Sequence, residues 1–156
     1  MSEYAVPARH GAGRPEYADP AGQGAGRIGS FVVHYDAGCP ICRSARGWLS
    51  GRAQLAPLYF VPAGSIEARS LFPGLDHAAT RRDLTVIADN GEVYLSDGAW
   101  AACLWALADY RGMAERLTSP RLLPTARRFI AAASAVREST RPADYGDVCD
   151  DSCRPA

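Results

Sequence analysis

Tyr35-Asp36-Ala37-Gly38-Cys39-Pro40-Ile41-Cys42-Arg43 is the stretch on which the reading of this chain turns. An apolar segment, Phe31-Val32-Val33-His34-Tyr35, leads into it, and an amphipathic one, Ile41 to Leu49, leads out. The first has the length and β-branched content of a buried strand; the second has the apolar spacing of a helix. Cys39 and Cys42 therefore sit where a strand becomes a helix, with Cys39 at or just before the first turn. A thiolate is a nucleophile and a thiol is not. The unbonded N–H groups and positive dipole end of a helix N-terminus stabilise an anion. A cysteine placed there can have its pKa drawn from about 8.5 into a range of roughly 3.5–7.5. Pro40 suits the first helical position, where its missing N–H has no intrahelical partner to lose. Cys42 lies one turn further on, on the same face. There it can attack a mixed disulfide on Cys39. The stretch reads as a dithiol/disulfide site with Cys39 as nucleophile, Cys42 as resolving thiol and a reversible Cys39–Cys42 disulfide. That reading requires the two sulfurs to face each other and Cys39 to be open to solvent.

The run Tyr-Asp-x-x-Cys-x-x-Cys-Arg from Tyr35 to Arg43 resembles the signature of the DCC family of thiol-disulfide oxidoreductases, named for its Asp-Cys-Cys pattern. The resemblance extends over roughly residues 30 to 138, through a short helical segment after the second strand and a hairpin, Gly-Ala and apolar helix in succession. It implies a thioredoxin-like α/β fold and thiol-disulfide exchange of the protein-disulfide reductase type. The substrate would be a protein or small-molecule disulfide, with an external thiol as reductant. The Cys-Pro-Ile-Cys pair is also similar to glutaredoxin-type redox sites. In one respect the chain departs from thioredoxins, which usually set a cis-proline just before the third strand. Here that approach reads Thr80-Arg81-Arg82-Asp83-Leu84-Thr85, and Pro62 follows the second strand instead. The usual backbone route for docking a substrate peptide is therefore not signalled.

With 156 residues the chain is long enough for one modest domain with a real core. Its 17 basic and 17 acidic residues cancel, which argues against a nucleic acid or an anionic membrane recognised by bulk charge. Every basic residue is Arg and none is Lys; Arg codons are GC-rich, which points to a GC-rich bacterial genome. The N-terminus lacks the apolar core of a secretory signal. The most apolar stretch, Ala99 to Ala108, is too short to span a bilayer. The expectation is a cytoplasmic protein, where thiols stay reduced and a Cys-x-x-Cys is more often catalytic or metal-binding than structural.

Residues 1–29, rich in Gly, Ala, Pro and Arg, read as a disordered leader in which His10 is a solvated side chain. Residues 30–139 read as the folded domain: a mixed four-stranded sheet flanked by helices. In the first helix Ile41, Cys42, Ala45, Trp48 and Leu49 share one face; Arg43, Ser44 and Arg46 share the wet one, and Gly51 ends it. Leu58-Tyr59-Phe60-Val61 reads as a second strand, parallel to the first by a right-handed crossover. Ser65 to Phe72 reads as a short helix capped by Ser65 and closed by Pro73-Gly74. Leu84 to Ala88 and Glu92 to Leu95, joined through Asp89-Asn90-Gly91, form a hairpin signal. An apolar helix capped by Ser96 or Asp97 follows, to about Tyr110, and a last helix spans Arg121 to Glu138. Leu122, Ala126, Phe129, Ile130, Ala133 and Val136 are its apolar stripe. Residues 140–156 read as a flexible tail carrying Cys149 and Cys153.

Each candidate has a plainer counterpart. Cys39, Cys42, Cys149 and Cys153 together are numerically a four-thiolate zinc site, which makes a metal-binding module the alternative function. The tail spacing, Cys-x-x-x-Cys without knuckle glycines, argues against it, and no metal or organic cofactor is called for by the exchange reading, since the two sulfurs carry both electrons. Cys149 and Cys153 also read as a secondary redox pair able to reach Cys39, or as incidental thiols. Asp36 either ends the strand by accepting N–H groups of the turn or exchanges a proton with Cys42. Arg43 either favours the thiolate by its charge or points to solvent, and the second is the plainer reading. Cys103, inside an apolar helix, reads as an inert core residue. His34 reads as a hydrogen-bonded structural histidine, and His77 as a loop residue without a partner pattern.

Overall fold

The computed structural model describes residues 28–139. The calls on the leader and the tail, with His10, Cys149 and Cys153, lie outside them. In chain order the elements are β1 (Phe31–Tyr35), α1 (Pro40–Ser50), β2 (Leu58–Pro62), α2 (Ile66–Leu71), α3 (His77–Arg82), β3 (Thr85–Ala88), β4 (Val93–Leu95), α4 (Ser96–Ala106), α5 (Arg111–Leu117) and α6 (Leu123–Ser139).

β1 is apolar on both faces, as an interior strand must be. It lies between β2, parallel to it, and β3, antiparallel, in a four-stranded sheet of order β2-β1-β3-β4. This is the mixed α/β arrangement of a thioredoxin-like fold. The two faces of β1 serve two cores. Phe31 and Val33 pack with Leu49 of α1 and with Ala99, Cys103 and Ala106 of α4. Val32 points the other way, to Ala68 and Phe72 beyond the α2 side. Phe31 anchors the first core by edge contacts with the rings of Tyr94 and Trp105.

Local signals account for most element ends. Ser65 Oγ accepts the Ala68 N–H and caps α2. Gly91 takes φ 89° in the β3–β4 loop, where Asn90 Oδ1 accepts the Glu92 N–H. Gly51 follows α1 and donates back to Gly47.

Four sequence readings need correction. α4 stops at Ala106 rather than near Tyr110, and α5 follows it. The Leu107 position forms a bridge with Gln54, and the Ala108 N–H donates to Ala53, so a distant loop draws the backbone out of the helix. Neither Ser96 nor Asp97 caps α4: β4 runs straight into it, Leu95 holds the cap position without a side-chain bond, and Ser96 turns the corner at φ 49°. His77 is not in a loop. It opens α3, with Nε2 2.9 Å from the Phe72 carbonyl. Finally, the apolar stripe of α6 is not buried: no residue of that helix is, and Phe129 is 77% exposed.

Candidate active site

β1 delivers the chain to a tight turn. Asp36 is buried, its Oδ1 accepts the Gly38 N–H at 3.1 Å, and its carbonyl accepts the Cys39 N–H at 3.2 Å. The turn places Cys39 at the N-cap of α1 with extended backbone, and Pro40 enters the first turn. Cys39 Sγ then accepts the Cys42 N–H at 3.5 Å, in the manner of a capping side-chain oxygen. A sulfur in this position carries negative charge well, because the donor and the helix dipole both face it. Both sulfurs are free thiols, and the Cys42 side chain hydrogen-bonds to Cys39.

The pair is unevenly covered. Cys42 is half-buried, whereas Cys39 is only 1% exposed. The sequence reading required Cys39 to be open to solvent, and here it is sealed. A cysteine used as a cap turns its sulfur inward over the first turn rather than outward. Burial, then the hydrogen bond and charge of Cys39, push the Cys42 thiol up to about 12. The Arg137 guanidinium, arriving from α6, acts on Cys42 in the opposite sense. Cys42 thus holds its proton firmly.

Cys42 also forms part of the wall of a partly open cavity of about 670 Å³ between α1, α4, the C-terminal end of β1 and α6. Leu49, Phe60, Trp100, Leu104, Ala126 and Ile130 supply apolar wall. Asp36, Arg46 and Arg137 contribute polar groups to it. Arg46 was expected on the wet face of the first helix. Instead its guanidinium lies over the rings of Tyr35, 5.4 Å from the centroid, and Phe60, 5.9 Å, so its stem folds back toward the sheet. Trp48, expected on the inner face with Cys42 and Leu49, packs edge-on against Tyr110 and is 38% exposed.

A strand-to-helix turn that caps its helix with one sulfur and sets a second sulfur one turn on has the geometry that exchange between thiols and disulfides needs. The family model of DCC1-like thiol-disulfide oxidoreductases matches residues 33–139. The chain belongs to that family. The match covers the cysteine turn, the sheet apart from the first two residues of β1, and every helix to the end of α6. No curated protein and no solved structure matches the chain. Membership in the DCC1-like family makes thiols or disulfides the substrates.

The remaining candidates fall elsewhere. Arg43 is exposed and donates to the Ala37 carbonyl across the turn, 3.5 Å away. Cys103 is fully buried and its thiol is pushed up to about 12 by that burial, so it is the inert core residue expected. His34 departs from expectation. Its ring is buried edge-on against Phe72, at 5.1 Å between centroids, and among the described residues neither ring nitrogen has a hydrogen-bond partner. Among the described residues no three His, Cys, Asp or Glu side chains cluster as a metal site would need, and no helix is long and apolar enough to cross a membrane. The sequence reading missed Arg137 as a neighbour of Cys42. Its only trace was a basic residue among apolar ones near the end of the last helix.

Proposed function

We propose that the chain exchanges two electrons with disulfides through Cys39 and Cys42, Cys39 attacking once the turn that covers it opens to admit the substrate, and Cys42 resolving. The observation that carries this is the Cys42 N–H donated to Cys39 Sγ at the start of α1. It sets a backbone donor against Cys39 Sγ at the start of the helix, while Cys42, its pKa pushed up to about 12, keeps its proton. In the forward direction Cys39 thiolate attacks a substrate sulfur, a mixed disulfide forms, and the first substrate thiolate leaves. Cys42 then loses its proton, with Asp36 as the nearby carboxylate to receive it. Its sulfur attacks Cys39, and the second substrate thiol departs as the Cys39–Cys42 disulfide closes. An external thiol, glutathione or a thioredoxin, restores the dithiol. Residues 30–139 are the working unit on this reading, in a reducing compartment such as the bacterial cytoplasm, and Cys149 with Cys153 is a secondary pair able to exchange with Cys39.

One observation favours the opposite order of attack: Cys42 borders the cavity, and Cys39 is sealed. Trapping separates the two orders. With Cys39 first, Cys42→Ser holds its substrate as a stable mixed disulfide on Cys39, identifiable by mass spectrometry, and Cys39→Ser holds none. The reverse pattern assigns the attack to Cys42. No adduct in either variant ends the exchange reading.

A further inference from the structure

We propose that the disulfide this site takes is a small apolar molecule, exchanged inside the cavity beneath α6 rather than at an open surface. The inference rests on the exchange reading above and names its substrate class. A protein disulfide must be brought to a sulfur that protrudes. Here Cys39 is 1% exposed, and Cys42 borders a partly open apolar cavity instead. That space, about 670 Å³, has the size of a small-molecule site. Its walls above the thiol are Leu49, Phe60, Trp100 and Leu104 on the body of the fold, with Ala126 and Ile130 across from them on α6. Asp36, Arg46 and Arg137 add polar groups to a lining that is otherwise mostly apolar; polar arms laid along Leu49, Phe60, Trp100 and Leu104 would lose hydration without recovering hydrogen bonds there, whereas alkyl arms gain by the same burial.

The chemistry balances whichever sulfur attacks first. One cysteine sulfur bonds to a substrate sulfur and the substrate S–S bond breaks. The departing thiolate takes up the first proton of the dithiol. The second cysteine sulfur closes the Cys39–Cys42 bond and expels the other substrate sulfur, which takes the second proton. One R–S–S–R becomes two R–SH, and the dithiol becomes a disulfide.

The test compares kcat/KM of the full chain for dibutyl disulfide, glutathione disulfide and insulin. It also measures binding of dibutyl sulfide to the Cys39→Ser/Cys42→Ser chain. That thioether has the apolar arms and no bond to exchange, so it reads the cavity without the thiols. The expected result is a preference for dibutyl disulfide of at least about tenfold over either alternative. Dibutyl sulfide binds and raises the Tm of the double-serine chain. Ala126→Trp, which fills the cavity from α6, abolishes both effects; if it does not fold, the thioether measurement decides. Glutathione disulfide or insulin turned over as fast as dibutyl disulfide, or no thioether binding, overturns the substrate class and leaves exchange standing. Failure to reduce any of the three disulfides overturns exchange, and the substrate assignment with it, even where the thioether binds.

Discussion

The backbone N–H of Cys42 points at Cys39 Sγ, 3.5 Å away, and the two side chains share a hydrogen bond. The cap therefore does two jobs. It satisfies a donor of the first turn, and it ties the two sulfurs together so that Cys42 holds its proton more firmly.

Removing Cys39 should release Cys42. Burial is the first cause of the raised Cys42 pKa, and the bond and charge of Cys39 come next. Cys39→Ser leaves the burial and removes the charge, so the Cys42 pKa falls below about 12 and alkylation by iodoacetamide at neutral pH speeds up. A Cys42 that alkylates no faster in the variant would show that the two thiols are not coupled.

Arg137 lowers the Cys42 pKa by its charge and hydrogen bond. Arg137→Ala should raise that pKa further and slow the resolving step, while Arg137→Lys recovers part of the loss through charge alone. Single-turnover kinetics of the mixed disulfide give the readout. The pH at which resolution reaches half its limiting rate should move upward in the alanine variant, and an unmoved profile would assign Arg137 to packing.

Asp36 holds the turn through Oδ1. Asp36→Asn keeps an oxygen for the Gly38 N–H and removes the base. Stability should change by less than about 1 kcal/mol, while resolution slows near neutral pH. If resolution is untouched and denaturant stability drops, Asp36 is a turn residue alone.

His34 should make the fold acid-sensitive. Burial first, and the charge of His77 second, lower its pKa from 6.5 to about 4. Between those values the unfolded chain binds a proton that the folded one refuses. Stability is therefore fully present above the unfolded value and falls as pH drops from 6.5 toward about 4. The integrated loss is about 3 kcal/mol. His34→Leu should flatten that part of the pH profile, measured by urea denaturation. At neutral pH it should add about 1–2 kcal/mol, because its two ring nitrogens have no hydrogen-bond partner among the described residues. An unchanged slope would place the acid sensitivity in other groups.

The legible parts were those encoded by neighbours in sequence. The apolar run at Phe31–Tyr35, Pro40 behind Cys39, the Ser65 cap and the Asn90-Gly91 turn each carry their own geometry, and the strand, helix and hairpin boundaries followed to within a residue or two. The break between α4 and α5 was not legible, because a bridge to Gln54 makes it and the residues around Ala108 carry no helix-stopping signal.

The sequence by itself determined that two sulfurs stand one turn apart where a strand meets a helix, since period, cap and proline are local properties. Only the tertiary structure decided that Cys39 is sealed, that Arg46 folds back over Tyr35 and Phe60, and that α6 stands off the sheet with a cavity and Arg137 beside Cys42. The reason is physical. Burial and charge proximity depend on which distant segments share a volume, and no stretch of chain carries that information about itself.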